Sequence, residues 1–163
     1  MLNLAPWTTR IVAAAKRHIY VDPSALLKLY LKEPESRAMS LWRGKIGDPV
    51  LVTHHSKVEL VNAIGLAKYR GMIAGETHDA ALDALEDDFR TGRYALTEIL
   101  WRAAIRRAES LSREHTASVG CRSLDIIHVA SALELELTRF ATFDVRQQQL
   151  ARAAGLRVIV PDA

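Results

Sequence analysis

The chain has 163 residues, 49% of them hydrophobic and 25% charged, and 22 Lys+Arg against 19 Asp+Glu give a net charge of +3. This is the make-up of one folded domain of ordinary size, which excludes a disordered or low-complexity chain; so mild a positive balance admits a nucleic-acid partner without demanding one. The single cysteine, Cys121, excludes an intrachain disulfide and a cysteine-rich zinc site, and it fits a reducing, cytoplasmic setting.

Residues 1–17 read as an N-terminal extension and residues 18–163 as a single domain. The longest apolar run of the extension, "IVAAA", is far short of the ~20 residues that span a bilayer. No basic leader precedes a long apolar core, so neither a signal peptide nor a membrane anchor is expected.

His18 to Val21 is a short apolar strand, and Pro23 suits the first turn of a helix after it, where a missing N–H costs nothing. A helix over Glu35 to Arg43 stops at "GKIGDP", and Val50 to Thr53 is a second strand. "SKVELVNAIGLAKYRGMI" has apolar residues at 58, 61, 64, 65 and 69 and closes at Gly71, as a helix does. Thr77 to Phe89 is a helix with an acidic outer face. Thr97 to about Ala117 is a long helix with Trp101, Ala104, Ile105, Ala108 and Leu111 expected on its inner side. "RSLDIIHVASALELEL" is apolar almost all round and therefore buried on most sides. "RFATFD" is a third strand, "VRQQQLARAAG" an amphipathic helix and "LRVIV" the last strand. Strands alternating with helices predict an α/β fold with a mostly parallel sheet, because parallel neighbours need helical crossovers.

Four carboxylates fall at or near helix starts: Asp22 after the first strand, Glu59 shortly after the second, Asp125 opening the buried helix, and Asp144 after "FATF". Each has a plainer local explanation. Asp22 and Asp144 can be N-caps, Asp125 a first-turn acid favoured by the helix dipole, and Ser56 with Glu59 a capping box. Taken together they say more. In a parallel α/β sheet every strand-to-helix junction lies on the carboxyl edge, where such folds bind ligands, so four acids are expected in one pocket. Their repulsion is costly unless a cation neutralises them or some take up protons. An all-oxygen donor set selects Mg²⁺ or Mn²⁺, a chemistry suited to phosphodiester cleavage.

These segments resemble the PIN-domain family, and most closely its small VapC-type ribonuclease toxins. The resemblance rests on "YVDPSALLKLYLKEPES", "SKVELVNAI", "RSLDIIHVASALEL" and "FATFDVRQQQLARAAGLRVI", in that order, from about residue 18 to 160. It implies a three-layer α/β/α sandwich, RNA cleavage with Mg²⁺ or Mn²⁺, a tendency to dimerise, and silencing by a cognate antitoxin whose C-terminal segment fills the active-site groove. Carried over residue by residue, Asp22, Glu59, Asp125 and Asp144 match the family's acidic quartet, with Asp22, Asp125 and Asp144 as metal ligands. Ser24 matches the small hydroxyl residue that orients the first Asp. Pro23 departs from the pattern, in which a small or hydroxyl residue is commoner after the first acid.

Four further groups are candidates for a role in binding or catalysis. His128, one helical turn after Asp125, either orients a metal ligand or contacts substrate, or is a satisfied core histidine. His54 and His55 border the pocket or belong to a plain surface loop. Arg122 is placed to meet a substrate phosphate or an antitoxin carboxylate. Arg102, Arg106, Arg107 and Arg113 either track an RNA backbone or form a solvated face of the long helix. The reading that follows is a metal-dependent endoribonuclease. The rivals are a PIN-like module that binds RNA or protein with little turnover, and a phospho-receiver domain, which wants adjacent acids after the first strand and a lysine after the last, neither of which is present.

Overall fold

The computed structural model describes residues 18–162; the extension 1–17 lies outside the described residues. The elements in chain order are β1 (Tyr20–Val21), α1 (Pro23–Leu27), α2 (Ser36–Gly44), β2 (Val50–Thr53), α3 (His54–Tyr69), α4 (Gly75–Arg90), β3 (Tyr94–Thr97), α5 (Trp101–Val119), α6 (Ser123–Glu134), β4 (Arg139–Ala141), α7 (Val145–Ala153) and β5 (Arg157–Ile159). The five strands form one parallel sheet in the order β3-β2-β1-β4-β5. No helix among the described residues is long and apolar enough to cross a membrane.

The layers follow from the alternation of side chains along the central strand. Ile19 and Val21 enter a core with Leu26 of α1, Met39 of α2, Leu60 and Ile64 of α3 and Leu85 of α4. Tyr20, between them, points into the opposite core, with Ile126 and Val129 of α6, Phe140 of β4 and Leu150 of α7. The Tyr20 and Phe140 rings stack there at 5.4 Å and 4°. Helices α1–α4 thus cover one face and α5–α7 the other, giving the α/β/α sandwich expected from the sequence.

Two expectations need correction. Tyr94–Thr97 is a strand and α5 begins only at Trp101, because β3 pairs in full register with β2, from Val50↔Tyr94 to Thr53↔Thr97. Trp101 and Ile105, expected on the inner side of α5, are 39% and 48% exposed. The other three residues expected there, Ala104, Ala108 and Leu111, do pack inward, and the small ones let α5 lie close against α6.

Candidate active site

The carboxyl edge of the sheet gathers the acids. Asp22 leaves β1 with its N–H still donated to Ala141 O of β4 at 3.0 Å, so the ladder continues into the site. It is also the N-cap of α1, its Oδ2 accepting from Ser24 N at 3.0 Å and from the Ser24 hydroxyl. Asp144 caps α7 through Gln147 N (2.9 Å), and its own N–H is donated to the buried Thr142 Oγ1 (3.1 Å). Asp125, in the first turn of α6, accepts from Arg122 N at 3.1 Å and meets the Arg122 guanidinium at 3.5 Å.

Glu59 reaches the site differently from its expected role. The cap of α3 is Thr53, whose hydroxyl accepts from Ser56 N, so Ser56 and Glu59 do not form a capping box. One turn further on, Glu59 turns to α6 and accepts from His128 Nε2 at 2.8 Å. A cavity of about 510 Å³ is lined by Asp22, Ser24, Glu59, Arg122, Asp125, His128 and Asp144, together with Ser123 and Leu124. The four acids, Ser24, Arg122 and His128 therefore border one space, whereas His54, His55 and the arginines of α5 do not line it.

His128 is buried, and it is the inner end of a polar chain that crosses the core. Its Nδ1 lies 2.8 Å from Tyr20 Oη, which is 3.1 Å from Ser56 Oγ; Ser56 Oγ is 2.8 Å from Thr53 Oγ1, itself 2.8 Å from His55 Nδ1. Burial disfavours the imidazolium of His128, but the Tyr20 oxygen, the hydrogen bond to Glu59 and the charges of Asp22 and Glu59 prevail and push its pKa up to about 10. His55 goes the other way. Burial and the neighbouring His128 charge, only partly offset by Glu59, bring it down to about 4. A charged His128 and a neutral His55 orient the chain: Nδ1–H donates to Tyr20, and successive hydroxyls donate onward to the His55 lone pair. The two imidazoles stack at 4.8 Å and 19°, and the edge of Trp101 closes on His55 at 4.8 Å.

The other candidates resolve on their contacts. His54 faces solvent and pairs with Glu98 at 2.8 Å. Arg107 and Arg113 pair with Glu134 and Glu109, as on a solvated helix face. Cys121 is buried, and its thiol is pushed up by burial and by nearby Asp125 and Asp144, which makes it a poor nucleophile.

One residue at the site was missed from the sequence. Gln147 is 1% exposed, and its Nε2 donates to Asp22 Oδ1 at 2.9 Å. The signal was present: Gln147, Leu150 and Ala151 follow the i, i+3, i+4 spacing of a buried helix face.

The acids suit a hard cation in kind, since every free donor is an oxygen. Among the described residues no three His, Cys, Asp or Glu side chains are gathered tightly enough to hold an ion directly. A hard divalent ion that keeps several of its waters needs only one or two direct carboxylate contacts.

A profile of the PIN domain matches residues 19–153. The chain belongs to the PIN-domain family. Ribonuclease VapC46 of Mycobacterium tuberculosis is 31% identical over 145 residues, 88% of this chain and 97% of that protein. Ribonuclease VapC47 of the same species is 31% identical over 150 residues, 89% of this chain and 98% of that protein. These relatives make it a VapC-type PIN domain. The fold is shared with the crystal structure of FitAcB from Neisseria gonorrhoeae, at a TM-score of 0.58 and 16% identity, over 88% of this chain and 97% of that one.

Proposed function

We propose that this PIN domain is a Mg²⁺-dependent endoribonuclease, the toxin of a VapBC-type pair, with Mn²⁺ as an alternative ion. The observation that carries the reading is the convergence of Asp22, Glu59, Asp125 and Asp144, from four different segments of chain, on one 510 Å³ cavity. The ribonuclease names of the VapC relatives support the same substrate class.

In this reading Asp22, Asp125 and Asp144 hold the cation, in part through its bound waters, and Glu59 completes the site directly or through water. When bound, the ion supplies Lewis acidity at the phosphoryl oxygens and lowers the pKa of water. The protein's own groups prepare the reaction. Ser24 and the capping geometry fix Asp22, and the His128 imidazolium holds Glu59 in place. Arg122, 77% exposed at the mouth of the cavity, meets a substrate phosphate or an antitoxin carboxylate. Water attacks phosphorus in line, the P–O3′ bond breaks, and a 5′ phosphate and a 3′ hydroxyl remain. No side-chain nucleophile takes part.

A cytoplasmic homodimer, silenced by a cognate antitoxin, belongs to the same reading. Leu100, Trp101 and Ile105 at the start of α5, together with Leu96 of the edge strand β3, leave apolar surface exposed that favours self-association.

The test compares the wild type with Asp22→Asn on tRNA and on single-stranded RNA, with and without EDTA, after circular dichroism shows that both fold. Cleavage by the wild type alone, abolished by EDTA and restored by Mg²⁺, is expected. Equal cleavage by the two proteins overturns the mechanism, and RNA binding without cleavage by the wild type identifies a binding module instead.

A further inference from the structure

We propose that Gln147 is a positioning residue that fixes the Asp22 carboxylate for cation binding, an inference that rests on the endonuclease reading above. Gln147 lies in the first turn of α7 and starts a run of three glutamines. It is 1% exposed, while its neighbours Gln148 and Gln149 are half-buried and exposed. An amide taken out of water is unfavourable unless its hydrogen bonds are replaced, and an apolar residue would fill the same place without that cost. What Gln147 bonds to therefore has to explain why an amide is there.

Its bonds all go to the acid-bearing segments. The side-chain Nε2 donates to Asp22 Oδ1 at 2.9 Å and lies 3.5 Å from Asp125 O, while the backbone N–H donates to Asp144 Oδ1 at 2.9 Å. One residue thus touches three of the four acid positions. The two oxygens of Asp22 are secured from opposite sides: Oδ1 by Gln147, and Oδ2 by the N–H and hydroxyl of Ser24. A carboxylate held at both oxygens cannot rotate about its terminal bond, so its remaining lone pairs point in one fixed direction.

The choice of an amide is informative. A lysine or arginine at this place would orient Asp22 equally well but would neutralise it and compete with a cation. Gln147 supplies a donor and no charge. Its Oε1 is buried with no hydrogen-bond partner, and turning the amide over would set that oxygen against the Asp22 carboxylate. The donor side of the amide is thus committed to Asp22 at the expense of the acceptor side. This is the arrangement by which neighbours of metal ligands orient them.

The test titrates Mn²⁺ alone, by electron paramagnetic resonance of the free ion, into the full-length wild type, Gln147→Met, Asp22→Asn and the double variant. Methionine keeps the bulk of the side chain and removes the donor. Gln147→Asn, whose amide stops one methylene short of Asp22, replaces it if the methionine variant fails to fold. We expect Gln147→Met to fold and to bind Mn²⁺ about tenfold more weakly, and the double variant to bind no worse than Asp22→Asn, because Gln147 acts only through that carboxylate. Wild-type Mn²⁺ affinity in Gln147→Met, or additive losses in the double variant, overturns the assignment while leaving the endonuclease reading intact. A wild type that takes up no Mn²⁺ overturns both.

Discussion

His128 donates from Nε2 to Glu59 Oε1 across 2.8 Å, tying α6 to α3 through residues 69 positions apart in the chain. The bond joins a buried imidazole to a partly exposed carboxylate, 2% and 32% accessible. It therefore carries charge from the cavity into the core, and it makes stability depend on pH.

An imidazole held at about 10 in the fold against 6.5 when unfolded binds more protons folded than unfolded between those values. Its contribution to stability is complete below pH 6.5 and fades as the pH rises through 10. The difference in unfolding free energy between wild type and His128→Gln should be widest near pH 6 and narrow towards pH 9, as read from urea unfolding at each pH. A difference that is flat with pH would show that His128 is neutral.

His55 gives the opposite sign. A histidine held at about 4 resists protonation in the fold, so its effect is absent above 6.5 and costs stability as the pH falls from 6.5 towards 4. His55→Phe preserves an aromatic ring between Trp101 and His128 but does not titrate. Thermal unfolding at pH 7 and pH 4.5 should show the wild type losing more stability than this variant over the same interval.

Tyr20→Phe removes the hydroxyl between His128 Nδ1 and Ser56 Oγ and leaves both buried without that partner. A loss of about 1–3 kcal/mol is expected from the unmet hydrogen bonds, with the ring stack on Phe140 retained. Denaturant unfolding measures it, and the loss should shrink in a His128→Gln background if the two groups act as one chain.

Asp144 allows its structural and chemical tasks to be separated. Asparagine caps a helix as well as aspartate does, so Asp144→Asn should keep the melting temperature. The same change should lower RNA cleavage by about 10–100-fold through loss of the charge. Asp144→Ala should lose the cleavage and also about 1 kcal/mol of stability. Calorimetry alongside a cleavage assay distinguishes the two, and full activity in Asp144→Asn would remove this carboxylate from the proposed site.

Much of the architecture is legible locally, because apolar runs and caps are local signals. Asp22 and Asp144 read as helix caps from their neighbours alone, and both are. β3 is hidden in the sequence because "YALT" stands only shortly before a helix and becomes a strand by pairing with β2, which no local pattern encodes. On α5 the expected inner residues Ala104, Ala108 and Leu111 are buried, but Trp101 and Ile105 are not, because size is no measure of burial where close packing on α6 favours small side chains. Glu59 looked like half of a capping box because Ser56 stands three residues before it. Its actual partner, His128, is distant in sequence and could be found only through the fold.

The strand order has a consequence for how the protein is made. β1 sits at the centre of the sheet, between β2 and β4, and Asp22 meets Gln147 across 125 positions of chain. A polypeptide still emerging from the ribosome carries its first two acids long before α6, β4 and α7 bring the others. Such a chain has no complete pocket. Synthesis is finished, or nearly so, before the four acids can share one cavity.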